Sequence, residues 1–362
     1  MTVLNPLVEQ ASALMDLDRH DDARALLARR IAEDPSDANA WLHLATCHLT
    51  LRDFDEALAA AGEAAALSPE TSYAQYVRTI SLRRLGRPDE ALAAAHEAIR
   101  LAPNGFRGFI ALSEALGAWQ PRWPEALDAA ATAVRLGPEE VGAHYALWKA
   151  ALFNGRLDVS RQAVRETLRI DPQNAWALTE WAGYVAAEAA SPPLTGAGAK
   201  LPAAADAFAT ALAVDPQGTW LRQGLDRTVF RMLRGTRWLG LLCLVLAALA
   251  GRVFPTGDDP TALPGPLGTR LYALALMAAV WGFGAWRRYR AMRGGVRMSL
   301  WSLVRRVGRA RLIVGQSAWC TLTAVVIVTV PWTERTVPQV LFWVALVPTL
   351  LTVWYERAEM RG

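Results

Sequence analysis

Apolar positions in the first 216 residues recur at helical spacing, in blocks that each end on a proline. Trp41, Leu44 and Ala45 form one stripe of a predicted first helix. A polar turn follows over 51–56, and Ala57, Ala61 and Ala64 form the stripe of a second helix that stops at Ser68-Pro69. Proline ends each block because its ring removes an amide donor and clashes with the preceding turn. Pro35, Pro69 and Pro103 lie 34 residues apart, each twelve residues after an alanine (Ala23, Ala57, Ala91). The phase slips by one and resumes with Ala126 before Pro138 and Ser160 before Pro172. It slips again before Ala204 and Pro216. A fixed period of this size predicts a solenoid of stacked helix pairs, all-α, over residues 1–218. The small residues allow the paired backbones to approach closely.

The pattern changes beyond residue 218. Charge-free apolar runs occupy 238–251, 271–286, 312–333 and 336–355, of 14, 16, 22 and 20 residues. A crossing of the hydrocarbon core needs roughly 17–25 residues, so the last two qualify directly. Extending the first to Phe254 places Arg252 near an end, where its long side chain reaches water. The expectation is a four-helix membrane domain over 238–355, with spans at 238–254, 271–286, 312–332 and 337–355. A basic helical linker occupies 219–237, a basic cytoplasmic loop 287–311, and a short tail 356–362.

Charge divides at the same place. Residues 1–218 carry a net charge of −9 and residues 219–362 one of +13, so the overall +4 describes neither part and gives no argument for nucleic acid. Arginines crowd 222–237 and 287–311, whereas the other two loops are poor in bases. The positive-inside rule then expects the repeats, the basic loop and the C-terminus in the cytoplasm. Trp238, Trp286, Trp332 and Trp354 fall near span ends. Val296, Leu300, Leu303, Val304 and Val307 share one face of a helix whose other face is arginine. This gives two readings: a lipid-surface helix, with Arg297, Arg305, Arg306 and Arg309 meeting headgroups, or a solvated connector whose charges only fix topology. The arginine and alanine bias, with only Lys149 and Lys200 as lysines, points to a GC-rich bacterial genome, hence an inner-membrane protein.

The spacing of Trp41, Leu44, Ala45, Ala57, Ala64 and Pro69 resembles the tetratricopeptide repeat family. Gly86, Ala91, Ala98 and Pro103, then Ala126, Ala133 and Pro138, repeat parts of the same pattern, giving about six units over residues 4–216. Leu7, Gln75, Ile110 and His144 replace the tryptophan, Trp148 stands where a small residue is usual, and the Ser/Pro/Gly-rich stretch 191–198 reads as an inserted loop. The resemblance implies that first helices line a concave groove, with Tyr73, Tyr76, Arg83, Arg84, Trp119, Tyr145, Lys149 and Trp176 on or near it. Such a face would grip an extended or helical peptide of acidic or mixed character. The alternative for each aromatic is inter-helix packing. Positions that hold Lys and Asn in chaperone-tail-binding members are Val8, Ser12 and His43 here, which gives no support for that ligand.

No nucleophile elbow, phosphate loop, zincin or dinucleotide motif occurs, and five scattered histidines with three isolated cysteines make no metal-ligand spacing. The start, MTVLNPLVEQ, lacks the basic and apolar regions of a cleaved signal. The expectation is therefore a non-enzymatic, cofactor-free scaffold whose partners are proteins or peptides and membrane lipids. A regulatory subunit of a small channel or transporter is the rival reading, weakened by the lack of acidic or basic residues deep in the spans.

Overall fold

In a computed structural model the described residues are 5–118, 120–189, 200–254, 266–283, 290, 301, 304–305 and 308–359. Trp119, Trp286, Arg297, Arg306 and the 191–198 stretch lie outside them. The chain forms two compact units, residues 1–177 and 178–362.

The first unit is a row of helical hairpins. Its helices are α1 (Pro6–Asp16), α2 (His20–Glu33), α3 (Ala38–Leu51), α4 (Phe54–Leu67), α5 (Ser72–Arg84), α6 (Pro88–Leu101), α7 (Phe106–Leu116), α8 (Trp123–Leu136), α9 (Val141–Phe153) and α10 (Leu157–Ile170). A short 3-10 turn, Gln120–Arg122, precedes α8. Each helix packs on the next, and the odd-numbered helices also touch one another in succession, so α1 through α9 form a continuous face.

Small residues set the spacing. Ala23, Ala57, Ala91, Ala126 and Ser160 are buried, as are the alanines four to seven positions later in α4, α6 and α8. At Gly108 a Cβ would stand 3.1 Å from the backbone nitrogen of Ile99, so α6 and α7 meet almost backbone to backbone. The turn inside each hairpin also repeats. Asp18, Arg52, Gly86 and Gly155 adopt positive φ of 60°, 68°, 72° and 67°. The first three are spaced by the same 34 residues as the prolines.

Between hairpins the proline turns are tied down from both sides. Asp34, Asp171 and Asp215 each accept the amide two residues on, at 3.1, 3.1 and 3.2 Å. Trp41 Nε1 donates to the Pro35 carbonyl at 2.9 Å, and His144 Nε2 donates to the Pro138 carbonyl at 2.8 Å. A carbonyl only accepts, so that imidazole carries its proton on Nε2. Arg222 Nη2 donates in the same way to Pro216. Histidine and arginine thus replace tryptophan by keeping its one polar contact.

The second unit holds α11 (Ala175–Ala189) from Leu178 onward, α12 (Leu201–Val214), α13 (Thr219–Ala250), α14 (Leu267–Trp281), α15 (Gly308–Thr329) and α16 (Thr336–Glu359). The expected linker 219–237 and first span form a single 32-residue helix, α13. Its first turns pack on α12, with Trp220 edge-on to Phe208 at 5.7 Å and Leu221 and Leu225 buried. The stretch expected as a helical linker is thus helical and continuous with the first apolar run, and it repeats the contact to a preceding proline carbonyl through Arg222.

Among the described residues three helices, within Thr219–Ala250, Gly308–Thr329 and Thr336–Trp354, are long and apolar enough to cross a membrane, rather than the expected four. The second apolar run is described only as the 15-residue α14, about 22 Å at 1.5 Å per residue. Gly240 of α13 lies against Ser317 and Cys320 of α15, while Gly251 lies against Ile327, so these two helices run parallel. α14 returns antiparallel between them: Trp281 Nε1 donates to Thr321 Oγ1 at 3.1 Å, and Arg270 reaches the Val328 and Thr329 carbonyls. α16 returns along α15 through a two-way Gln316–Thr352 pair at 2.9 and 3.2 Å.

Arg52 is exposed and adopts the left-handed conformation, which is unfavourable by roughly 1–2 kcal/mol for a residue with a Cβ. Arg52→Gly should therefore stabilise the first unit by about 0.5–1 kcal/mol, and Gly86→Ala should destabilise it by about 1 kcal/mol. Nothing lies within 4 Å of a Cβ at Gly86, so this loss would come from backbone strain alone. Urea melts followed by circular dichroism would read both, and equal midpoints would refute the assignment.

Candidate functional site: the face of the first helices

The residues expected on the groove fall into three groups with different surroundings. Tyr73 and Tyr76 of α5 stack at 5.6 Å, and Arg107 of α7 lies over the Tyr73 ring at 5.3 Å and over Phe106 at 4.8 Å. Tyr76 contacts three neighbouring clusters of the core. Burial, reinforced by Tyr73 and Glu114 nearby, pushes its phenol up to about 12. Tyr76 is thus packing between hairpins, the alternative the sequence left open.

The second group is electrostatic. Arg83 of α5 and Lys149 of α9 both reach one oxygen of Glu114 on the intervening α7, at 3.1 and 2.7 Å. Glu114 is buried, with its side chain 9% exposed. Desolvating a carboxylate is tolerated because two cations converge on it. Expected as peptide-gripping cations, Arg83 and Lys149 instead tie three successive first helices together. Arg84 points elsewhere and lies over the Phe54 ring of α4 at 5.2 Å.

The third group is aromatic and partly open. Tyr145, Trp148 and Trp176 meet pairwise at 5.5, 4.9 and 5.0 Å, the two contacts to Trp176 edge-on. Tyr145 remains 40% exposed. Trp148 stands at a position that suggested a distorted unit, yet α9 is regular. A large ring is accommodated because Trp176, from the start of α11, closes over it. Trp148, Glu114 and Arg107 were not placed on this face by the sequence reading. Glu114 stands 35 residues before Lys149, the local repeat spacing, which was an available signal.

The helix pairs, their 34-residue turn period and the continuous face of first helices now stand together with a family match. Residues 8–72, 48–106 and 120–175 match the tetratricopeptide repeat family model. The front of the chain is built of tetratricopeptide repeats. Proteins with such repeats generally mediate protein–protein interactions. Among solved structures, the thermophilic tetratricopeptide-repeat protein TTC0263 of Thermus thermophilus is 22% identical. The match covers 49% of this chain and 96% of that one, with a TM-score of 0.45. YrrB, described as having an unusual peptide-binding site, is 19% identical over 48% of this chain and 90% of its own, with a TM-score of 0.34. A fragment of MamA from Desulfovibrio magneticus is 15% identical over 48% and 99%, with a TM-score of 0.37. No curated protein matches the chain.

Two outcomes check these assignments in the repeat array. Glu114→Ala leaves two cations facing each other without their shared acceptor and should destabilise the array by about 1–3 kcal/mol. Arg83→Met or Lys149→Met alone should have a smaller effect, because the carboxylate keeps one partner. Equal losses in urea denaturation would refute the bridging role. Tyr76 gives a pH signature. Its folded pKa stands above the ordinary value near 10, so its contribution is complete below pH 10 and is lost as pH rises towards 12. Tyr76→Phe should flatten that decline, and an unchanged slope between pH 10 and 12 would show the phenol to be solvated.

Proposed function

We propose that this chain is a membrane-anchored adaptor whose repeat array binds partner proteins at the cytoplasmic face of a bacterial inner membrane. The observation that carries the anchoring is the outward face of α13. Trp238, Leu242, Val245 and Leu249 follow one another at intervals of four, three and four residues and are 54%, 46%, 44% and 71% exposed. Their inward neighbours Leu241, Leu244, Ala247 and Ala248 are buried against α15 and its partners. A helix that turns small and apolar residues inward while showing large apolar ones outward suits lipid better than water.

The same logic holds for α15 and α16. Trp319 and Leu322 of α15, and Val340, Trp343, Val344, Val347 and Leu351 of α16, are exposed. The polar groups of the bundle pair with each other, as Gln316 with Thr352 and Trp281 with Thr321, which supports their role as inter-helix contacts. In this reading α13 leaves the cytoplasm and the segment that begins with α14 brings the chain back beside it. α15 and α16 repeat the excursion. The array, the arginine-rich 287–311 segment and the C-terminus then share the cytoplasmic side.

For the partner, the open aromatic cluster is a better candidate than the cations. Arg83 and Lys149 are engaged by Glu114, whereas Tyr145 presents ring edge to solvent beside Trp148 and Trp176. The face therefore suits a peptide that contributes an apolar or aromatic side chain. A photo-crosslinking residue at Tyr145 of the full-length protein, in its native membrane, should give a discrete adduct. The same residue at exposed Arg100, on a second helix, should not. Tyr145→Ala should weaken the captured interaction about tenfold. Indistinguishable adducts from both positions would remove the groove from the proposal, and reporter fusions that place the array outside the cell would end it.

A further inference from the structure

The outward stripe of α13 does not stop at Trp238. Continued towards the N-terminus at the same helical spacing it passes through Arg234, Arg231 and Arg227, of which Arg231 and Arg227 are exposed and Arg234 half-exposed. One face of one helix thus reads three arginines, a tryptophan, then three large apolar side chains. At 1.5 Å per residue, Arg234, Arg231 and Arg227 stand about 6, 10 and 16 Å beyond Trp238 along the axis. The polar headgroup layer on one side of a bilayer is on the order of 5–8 Å thick. With Trp238 at the hydrocarbon edge and Leu242, Val245 and Leu249 below it, Arg234 falls at phosphate depth. Arg231 stands just beyond the headgroup layer but within reach of it through its long side chain, and Arg227 lies on the water side.

α15 places cations at the same end. It runs parallel to α13, and Thr236 Oγ1 meets Ser317 Oγ at 3.5 Å, which fixes the relative level of the two helices. Counting back from that contact, the exposed Arg311 and Arg309 of α15 lie within about two turns of the level of Arg227 and Arg231. Along α15 the exposed order is again Arg311, then Trp319 and Leu322.

Several exposed arginines of the array are paired with carboxylates one turn away: Arg19 with Asp22, Arg87 with Glu90, Arg100 with Glu97 and Arg122 with Glu125, at 2.6–2.7 Å. Among the described residues, Arg227, Arg231 and Arg311 have no carboxylate within ion-pair distance. Residues 219–362 hold six acids against 19 bases, so few carboxylates exist to neutralise them. A guanidinium pairs with phosphate oxygens through two parallel hydrogen bonds, which suits it to this depth.

We propose that the exposed arginines at the N-terminal ends of α13 and α15 form a binding collar for anionic phospholipid headgroups, with Arg227, Arg231 and Arg234 as its core. This rests on the membrane reading above and adds a lipid class to it. The collar makes retention in the bilayer and headgroup preference separate properties: the apolar stripes provide the first, the arginines the second.

The experiment uses full-length protein. Alkaline carbonate treatment of native membranes first tests anchoring, and release into the supernatant would overturn both readings together. Detergent-solubilised protein is then titrated with phosphatidylglycerol or phosphatidylcholine, and bound lipid is counted by native mass spectrometry. Phosphatidylglycerol should bind at least tenfold more tightly. Each of Arg227→Gln, Arg231→Gln and Arg234→Gln should lower that preference about fivefold, while Arg87→Gln with Arg100→Gln should leave it unchanged. These are outward side chains, so the variants should keep their helical circular dichroism. Equal binding of the two lipids, a preference that survives the triple variant, or tighter binding of duplex DNA than of phosphatidylglycerol would overturn the collar while leaving the anchor in place.

Discussion

The constraint on which both units depend is backbone proximity. Two helices approach to within a few ångströms of main-chain contact only where neither carries a side chain of any size. In the array this is met by alanine, or by Ser160 in α10, at one position of the second helices and by Gly108, where an added methyl would meet Ile99 backbone atoms at 3.1–3.2 Å. Among the apolar helices it is met by Gly240, where the same methyl would meet the Ser317 carbonyl oxygen at 3.0 Å. The driving force behind the contacts differs. In the array, close approach buries apolar surface from water. Between the apolar helices, under the proposed membrane reading, close approach gains dispersion and hydrogen bonds, because lipid would solvate the faces about as well.

Charge is handled in opposite ways in the two parts of the chain. The array engages many of its arginines internally, in pairs one helical turn apart and in the Arg83–Glu114–Lys149 bridge across three helices. Pairs exposed to water contribute little individually. The bridge is different in kind, since its acceptor is buried and its three members come from successive units. It fixes the register of those units more than it adds to their stability. Beyond Thr219 bases outnumber acids by 19 to six, and among the described residues Arg227, Arg231 and Arg311 have no carboxylate within ion-pair distance.

The helix-pair architecture was legible because proline and alanine recur at an interval no other architecture requires. The sites were legible only in part. Tyr145 and Trp176 were placed on the face and do meet there, but Arg83 and Lys149 were assigned to a ligand when Glu114 holds both. Helical periodicity reports which residues share a side of a helix, not which long side chains converge from different helices. The helical stretch 219–237 shows the same limit. Leu221 and Leu225 are buried, and the Arg222–Pro216 contact repeats the tryptophan contact of an earlier unit. A cation that performs a tryptophan's hydrogen bond is invisible to a pattern written in residue types.

The parallel pairing of α13 and α15 also has a consequence in time. Gly240 and Ser317 are 77 positions apart in the chain, and at synthesis rates of about 5–20 residues per second the second appears roughly 4–15 s after the first. During that interval α13 exists without the surface it was shaped to meet. Its waiting face is glycine, cysteine and alanine around Leu241 and Leu244. A small-residue face is therefore a way of deferring a contact as well as a way of making it close.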